Sequence, residues 1–414
     1  MKTNFRNVKL GCYATNITMS VISSLSPVLF ATFHHKYNIS YSLLGLLIAI
    51  CFFTQLIIDL IFSFFSHKFN IELTVKFTPI IACLGLLVYG LSPYIFQNNI
   101  YIGLCIGTII FSLASGLAEV LISPVIAAIP SDNPDHEMSK LHSIFAWGVV
   151  GIIIFDTLFL KVAGYDNWPY LCYILMVVPL IAAIFFSKSE IPQMETPKKV
   201  SGAVGMFKNR QVWVCFFAIF FGGAAECTMS QWSSSYLETA LGIPKVWGDI
   251  FGVALFSVFL GLGRTLYSKF GKNIGFVLFL CGVGATICYL FAAISNIALI
   301  GLFACAFTGF CTSMLWPGSL IVANERVPDG GVFIFALMAA GGDLGASIGP
   351  QMVGIVTDTV AASESFNSMA LNLSISPEQL GMKIGILIGM VFPLIAIPLY
   401  RYIWKTNKKE KHNV

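Results

Sequence analysis

Residues 212–236 read VWVCFFAIFFGGAAECTMSQWSSSY, an apolar run that leads into a stretch of small and polar side chains. Residues 212–236 together are long enough to cross the hydrocarbon core of a bilayer as a helix, which takes about 20 residues. Glu226 falls in its middle. An ionised carboxylate at that depth costs roughly 2.5 to 3.5 kcal/mol on insertion scales. The stretch therefore predicts a transmembrane helix whose glutamate has a partner or a function that offsets this cost.

The composition of the whole chain is that of a membrane protein with many spans. Of the 414 residues, 57% are hydrophobic and 11% are charged, against about 25% charged residues in soluble domains. Similar apolar runs recur along the chain, and in lipid a helix satisfies its own backbone polar groups, so each run predicts a transmembrane α-helix. The net charge of +4 comes from basic residues scattered over short loops. No basic patch results, and no nucleic-acid partner is expected.

Twelve spans are predicted, with a charged linker in the middle of the chain. The spans are 9–33, 42–66, 74–96, 100–129, 138–162, 168–187, 212–238, 245–268, 274–294, 297–325, 331–359 and 380–404. They divide the chain into an N-terminal six-helix bundle (1–187), a cytoplasmic linker (188–211) and a C-terminal six-helix bundle with a short cytoplasmic tail (212–414). The predicted fold class is an all-α membrane protein of two six-helix bundles.

The basic residues of the loops predict the orientation. With both termini inside, the outer loops hold only Lys36, Lys161 and Lys245, and the other loop lysines and arginines fall on the inner side. Positive charge collects on the cytoplasmic side of membrane proteins. The basic start of the chain leads directly into a full-length span, which is typical of a cytoplasmic tail and not of a cleaved signal. We therefore expect a multi-pass protein of the plasma (inner) membrane with cytoplasmic termini.

The two halves of the chain repeat each other. Residues 116–124, GLAEVLISP, and residues 309–317, GFCTSMLWP, share the same spacing from glycine to proline. The tripeptide Thr-Met-Ser begins two positions after Asn16 and again two positions after Glu226, which lays these two residues over each other. Parallel repeats related by an axis along the membrane normal, with a site near the midplane, are typical of secondary transporters.

Six plus six spans, a central linker and these repeats resemble the major facilitator superfamily over the whole chain. The superfamily's loop signature after the second span, G-x-x-x-D-R-x-G-R, is degraded. Its first G, D, R and second G are replaced by Ser63, His67, Lys68 and Asn70. Within the superfamily the chain is most similar to the fucose–galactose–glucose:proton symporters, whose fourth span carries a glutamate that GLAE places at Glu119. Those proteins also have an acid in the first span, where this chain has Asn16.

Seven polar or aromatic side chains of the spans are candidates for binding a substrate. They are Glu226, Gln231, Trp232, Asn16, Trp147, Trp316 and His142. Around Glu226, Gly222, Ser230 and Ser233 lie four or seven residues away and share its helical face, a stripe suited to a wet cavity. Sugars bind to carboxylate and amide groups through their hydroxyls and to an indole through their apolar face. A plain packing role is the alternative for each residue, and His142 is as readily an interfacial side chain.

Three further acids are candidates for proton coupling. They are Glu119, Asp343 and Asp59. Glu119 lies among small residues, Asp343 lies among glycines that let another helix approach closely, and Asp59 follows Gln55 by one turn. Asp343 and Asp59 both gain from pairing with Arg264 in the eighth span. The alternative for each acid is a purely structural role.

No cofactor and no metal are expected. The eleven cysteines lie singly, with no C-x-x-C pair, and neither a metal-ligand spacing nor a nucleotide-binding pattern is present. The energy for any transport then comes from a gradient, of protons or alternatively of sodium.

The sequence therefore predicts a secondary active transporter that carries a monosaccharide or similar small polar solute by proton-coupled symport and alternating access. A drug or metabolite efflux antiporter of the same fold and a non-transporting membrane sensor are the alternatives, and an enzyme is not expected. The expected partners are a small-molecule substrate, with a sugar favoured, and the lipid bilayer. The protein is expected to be a monomer.

Overall fold

The structure is a computed structural model that describes residues 5–65, 68–130, 134–192, 207–327 and 331–412. All regular structure in these residues is helical, and they contain no β-strand. The all-α fold predicted from the sequence is confirmed. Most of the predicted linker, residues 193–206, lies outside the described residues.

The first half of the chain forms helices α1 to α7. They are α1 (Arg6–Tyr37), α2 (Tyr41–Phe65), α3 (Ile71–Ile95), α4 (Ile100–Ala128), α5 (Pro134–Ala163), α6 (Trp168–Leu175) and α7 (Val177–Ser187). Helices α6 and α7 together cover the sixth predicted span. They are interrupted at Met176, because Pro179 has no N–H to donate to Leu175 and its ring crowds that carbonyl.

The second half forms helices α8 to α17. They are α8 (Arg210–Leu241), α9 (Lys245–Trp247), α10 (Leu255–Phe270), α11 (Ile274–Ile294), α12 (Ala298–Thr312), α13 (Leu315–Arg326), α14 (Gly331–Ala362), α15 (Glu364–Asn372), α16 (Pro377–Gly389) and α17 (Val391–His412). A π-helical turn, Gly248–Ala254, joins α9 to α10. Such turns are rare and often occur at functional sites.

The helices reproduce the predicted spans. Among the described residues, 11 helical stretches are long and apolar enough to cross a membrane. The remaining predicted span, 331–359, coincides with the 32-residue helix α14. Polar caps mark several helix starts: the side chain of Asn70 accepts from the Leu73 N–H at the start of α3, and Ser376 and Gln379 form a capping box at the start of α16. Each such cap stabilises its helix by about 1 kcal/mol.

The chain packs as two compact units. The N-terminal unit comprises residues 1–32 and 50–200, and the C-terminal unit comprises residues 33–49 and 201–414. The C-terminal end of α1 and the start of α2 thus pack with the C-terminal unit, whereas the rest of both helices packs with the N-terminal unit.

In the N-terminal unit, polar side chains tie α1 to α5. The amide of Asn16 donates to the carbonyl oxygen of Leu141 at 2.7 Å, and the hydroxyl of Ser20 donates to that of Phe145 at 2.9 Å. Because Gly148 has no side chain, Ser20 can pack directly against α5; a Cβ atom there would lie 2.6 Å from the Ser20 oxygen. Small residues at such contacts let helix backbones approach closely in lipid.

A polar cluster also joins α1 and α5 near their N-terminal ends, before the spanning part of α5 begins at Ser143. Lys9 forms an ion pair with Glu137 at 2.7 Å, and the hydroxyl of Tyr13 donates to the other carboxylate oxygen at 3.0 Å. The hydrogen bond from Lys9 holds the pKa of the Glu137 carboxyl below its ordinary value. This carboxylate is therefore ionised at neutral pH and acts as a structural link between the two helices.

In the C-terminal unit, α8 is the helix against which the others pack. The hydroxyl of Tyr400 donates to the carbonyl oxygen of Ala218 at 2.8 Å, and that of Tyr289 donates to Ala225 at 2.7 Å. On another side, Gly345 of α14 lies so close to α8 that a Cβ atom there would overlap the carbonyl oxygen of Phe220. These contacts fix α8 between α14, α11 and α17.

The start of α2 is capped from α14. The carboxylate of Asp358 accepts from the backbone N–H groups of Tyr41 at 3.1 Å and Ser42 at 2.7 Å. The first N–H groups of a helix have no partner within it and carry a partial positive charge, so an anion there is stabilising. The side chain of Gln351 adds a hydrogen bond to the Ser42 carbonyl at 3.2 Å. This capping accounts for the packing of residues 33–49 with the C-terminal unit.

The close approach of α8 and α14 is tested by Gly345→Ala. We expect this change to destabilise the protein by about 1–3 kcal/mol, because the added methyl group forces the two backbones apart. The matched control is Gly261→Ala in α10, where a Cβ atom would meet nothing within 4 Å. There the gain in helix propensity of about 0.8–1 kcal/mol predicts equal or higher stability. The thermal unfolding midpoint in detergent compares the two; equal midpoints would contradict the close packing.

Candidate functional site

Glu226 lies in α8 next to glycines that admit neighbouring helices. A Cβ atom at Gly222 would lie 2.9 Å from that of Leu315 in α13, and one at Gly223 would lie 2.6 Å from the carbonyl oxygen of Gly342 in α14. Helices α13 and α14 therefore reach α8 one turn before Glu226. The glutamate sits where three helices meet, and its side chain is 14% exposed.

Arg264 of α10 forms an ion pair with Glu226. Its Nη2 donates to Oε1 of Glu226 at 3.2 Å, and its Nε donates to the carbonyl oxygen of Ser313 at 3.1 Å. This contact answers the question raised by the sequence, because an opposite charge offsets the cost of a carboxylate in a spanning helix. The sequence predicts Asp343 or Asp59 as the partner of Arg264, whereas the described ion pair of Arg264 is with Glu226.

The Ser313 carbonyl is available because of a proline. In a regular helix the N–H of residue 317 would bond to the carbonyl of residue 313, but Pro317 has no N–H. The chain breaks between α12 and α13 at this point, and Arg264 supplies the missing donor. A Cβ atom at Gly263 would collide with the Ser313 side chain, so glycine is required for α10 to come this close. Irregular backbone is stable in a membrane where other protein groups satisfy it.

The ion pair leaves hydrogen-bonding capacity unused. Oε2 of Glu226 is buried and has no hydrogen-bond partner among the described residues. The side chain of Arg264 is 38% exposed. A guanidinium has five N–H donors, and the two described contacts use two of them. The pair therefore retains an unused acceptor on Glu226 and unused donors on Arg264.

The other predicted substrate residues of the C-terminal unit differ in accessibility. Trp232 is fully buried, and its indole N–H donates to the carbonyl oxygen of Pro350 at 2.8 Å. Gln231 is 9% exposed. Trp316 is half-buried and lies against Gly223 and Gly342, which places an indole one turn from Glu226. Of the aromatic candidates in this unit, Trp316 is therefore more accessible than Trp232.

The predicted substrate residues of the N-terminal unit lie in α1 and α5. Asn16 is buried, and its amide is hydrogen-bonded to the backbone of α5. Trp147 lies in α5 and is 69% exposed. His142 also lies in α5, but its side chain is outside the described residues. A substrate role for these three residues stays a prediction.

Two of the predicted coupling acids are neighbours in the N-terminal unit. A carboxylate oxygen of Asp59 in α2 and one of Glu119 in α4 lie within 4.8 Å of each other. Asp59 is 1% exposed and Glu119 is half-buried. One turn from Asp59, the side-chain oxygen of Gln55 accepts from the Ser115 hydroxyl at 3.0 Å, which ties the two helices together. Asp343, the third acid, is 2% exposed in α14 of the C-terminal unit.

The structure also contains a buried ion pair that sequence reasoning missed. Lys245 and Asp249, at the π-helical turn, lie 3.2 Å apart with side chains only 7% and 1% exposed. The Ser234 hydroxyl donates to the same Asp249 oxygen. The available signal is the spacing of four residues between lysine and aspartate, which places them on one helical face.

Comparison with known proteins identifies the family. The sequence profile described as Major Facilitator Superfamily matches residues 11–350. The chain belongs to the major facilitator superfamily. It is accordingly a multi-pass membrane transporter and not an enzyme. The narrower likeness to the fucose–galactose–glucose group stays a prediction. No curated protein matches the chain in sequence.

Solved transporters share this superfamily fold over nearly the whole chain. A bacterial homologue of the human lysosomal transporter Spinster superposes with a TM-score of 0.74 at 14% identity, covering 96% of each chain. A D-xylose–proton symporter gives 0.71 at 13% identity, covering 95% of this chain and 98% of that one. The nucleoside transporter NupG gives 0.70 at 14% identity, with 96% and 98% covered. At these identities the similarity establishes the fold alone.

A double-mutant cycle tests the ion pair. Glu226→Gln removes the counter-charge of Arg264, and Arg264→Gln leaves Glu226 charged in a spanning helix, so each single change should lower the thermal unfolding midpoint in detergent. The double variant Glu226→Gln/Arg264→Gln carries no unpaired charge. We expect it to be more stable than the sum of the single effects by about 1–2 kcal/mol. Strictly additive effects would show that the two side chains do not interact.

Proposed function

We propose that this superfamily member is a secondary active transporter that imports a monosaccharide or similar small polar solute together with a proton. The observation that carries the proposal is the pair of neighbouring carboxyl groups, Asp59 and Glu119, in two spanning helices of the N-terminal unit. The polar groups around Glu226 in the C-terminal unit supply the substrate-binding part of the proposal.

The carboxyl pair supports proton coupling. Two ionised carboxylates within 4.8 Å of each other repel strongly where the dielectric constant is low. A proton held by one of them removes that repulsion. Such a pair can gain one proton when it is accessible from one side of the membrane and lose it when it is accessible from the other. A proton gradient is thereby converted into a change of charge in the protein. Sodium is the alternative coupling ion, since carboxylate oxygens also bind hard cations.

The C-terminal unit supports a polar substrate. Around Glu226 it combines a carboxylate with an unused oxygen, a half-exposed guanidinium and a half-buried indole. Hydroxyl groups of a sugar can hydrogen-bond to the charged groups, and the apolar face of the ring can stack on Trp316. A hydrophobic drug would leave these polar groups unsatisfied, which disfavours the efflux alternative.

The same proposal includes orientation and assembly. The protein lies in the plasma (inner) membrane with both termini in the cytoplasm. The distribution of lysines and arginines over the loops supports this orientation. The two six-helix halves, 1–187 and 212–414, are parallel repeats, and a monomer suffices for transport. Cysteine labelling from each side of the membrane tests the orientation.

Uptake into proteoliposomes tests the function. A panel of labelled neutral hexoses, pentoses and nucleosides is offered with an acidic exterior, with an acidic interior, with a sodium gradient, or with a protonophore that abolishes the pH gradient. A proton symporter accumulates its substrate only in the first condition. Accumulation only when the interior is acidic would indicate an efflux antiporter. Binding without any uptake would indicate a sensor.

Neutralisation of Glu119 should uncouple transport. Glu119→Gln resembles the protonated carboxyl group, so the variant should exchange substrate between two equal pools but should not concentrate it when the exterior is acidic. Counterflow and pH-driven uptake are measured on the same vesicles. The matched control is Glu72→Gln, which removes an exposed carboxylate of the same unit that is paired with Lys76 and should leave both activities unchanged.

Retention of pH-driven accumulation in the Glu119→Gln variant would contradict this role of Glu119. The same measurement on Asp59→Asn and Asp343→Asn would then identify the coupling acid.

A further inference from the structure

We propose that Arg264 binds the carboxylate of the transported solute, so that the substrate is a sugar acid, such as a hexuronate, and not a neutral sugar. This inference rests on the proposed transport function and deepens it. It concerns only the C-terminal unit, in which Arg264, Glu226, Ser313 and Trp316 all lie.

The geometry of the ion pair indicates that Glu226 uses only part of the hydrogen-bonding capacity of the Arg264 guanidinium. A carboxylate and a guanidinium form their strongest contact through two parallel hydrogen bonds of about 2.7–2.9 Å. Here one bond is described, at 3.2 Å, and the second oxygen of Glu226 has no hydrogen-bond partner among the described residues. An anion with two free oxygens could bind the same guanidinium better than Glu226 does.

The orientation of Arg264 is fixed independently of Glu226. Its Nε donates to the Ser313 carbonyl, which Pro317 leaves without an intrahelical donor. A ligand that displaces Glu226 would therefore find the guanidinium already held in place. The loss of side-chain freedom on binding is correspondingly small, which favours affinity. The 38% exposure of the Arg264 side chain provides access.

The surroundings favour a sugar over a simple carboxylate. Trp316 follows Ser313 by three residues and lies against Gly223, which precedes Glu226 by three residues. These contacts bring a half-buried indole to the same part of the unit as the guanidinium. An indole provides a flat apolar surface for a sugar ring, and the displaced Glu226 can accept hydrogen bonds from hydroxyl groups. A small anion such as lactate would use only the guanidinium.

Competition measurements on proteoliposomes test the inference. Uptake is followed with whichever labelled sugar of the panel the protein transports. The unlabelled competitors are glucuronate and galacturonate, their parent sugars glucose and galactose, and lactate. Binding of the same five compounds is measured by calorimetry. In the unmodified protein we expect each uronate to bind about tenfold or more tightly than its parent sugar and than lactate, a difference of about 1.4 kcal/mol. The variant Arg264→Lys keeps the charge but loses the planar fork, so this preference should fall to near unity.

Two further variants keep the test decisive. The double variant Arg264→Gln/Glu226→Gln removes both charges, so no unpaired charge is left in the spanning helices. It should bind uronates no better than neutral sugars. Arg401→Lys, at an exposed position of α17, is the matched control and should keep the uronate preference.

The outcomes separate this inference from the proposed function. Transport of neutral sugars with no preference for uronates would show that Arg264 is not the anion site. A uronate preference that survives in Arg264→Lys would show the same. In both cases the sugar-transport proposal stands. Lactate binding as tight as uronate binding would overturn the sugar-acid assignment. If no sugar of either kind is bound or transported, the proposed function fails, and the inference fails with it.

Discussion

A peptide group inside a bilayer has to find its hydrogen-bond partner within the protein, and this requirement shapes both the fold and the candidate site. It makes every described element helical. It also explains what happens where a helix breaks. At Pro317 the carbonyl of Ser313 loses its donor, and the guanidinium of Arg264 replaces it. The position of this charged side chain in the C-terminal unit thus follows from a backbone defect in another helix.

The charge of Arg264 in turn requires a counter-charge, and Glu226 provides it. An ion pair in lipid is tolerable where an isolated charge is not. The pairing also changes the meaning of the glutamate. The sequence predicts Glu226 as a direct ligand for sugar hydroxyls, whereas the structure shows it as the partner of a cation. Under the proposed function, a ligand of Arg264 would have to compete with Glu226.

The two positions that the sequence predicts to be equivalent, Asn16 and Glu226, have different surroundings. The amide of Asn16 is bound to the backbone of α5, and the residue is buried. The N-terminal unit instead carries its acids on α2 and α4, where Asp59 and Glu119 are neighbours. Under the proposed function, the charged substrate site would lie in one unit and the proton-binding group in the other.

The sequence by itself determined the class of protein, the positions of the spans and the need of Glu226 for a partner or a function, because the energy of a residue in lipid depends mainly on its own polarity and depth. It also pointed to Glu119 and Asp59. Only the tertiary structure decided that Arg264 pairs with Glu226 and that Trp232 is buried while Trp316 remains accessible. Those properties depend on which helices adjoin and on how closely glycines let them approach. Spacing along a single helix cannot specify either.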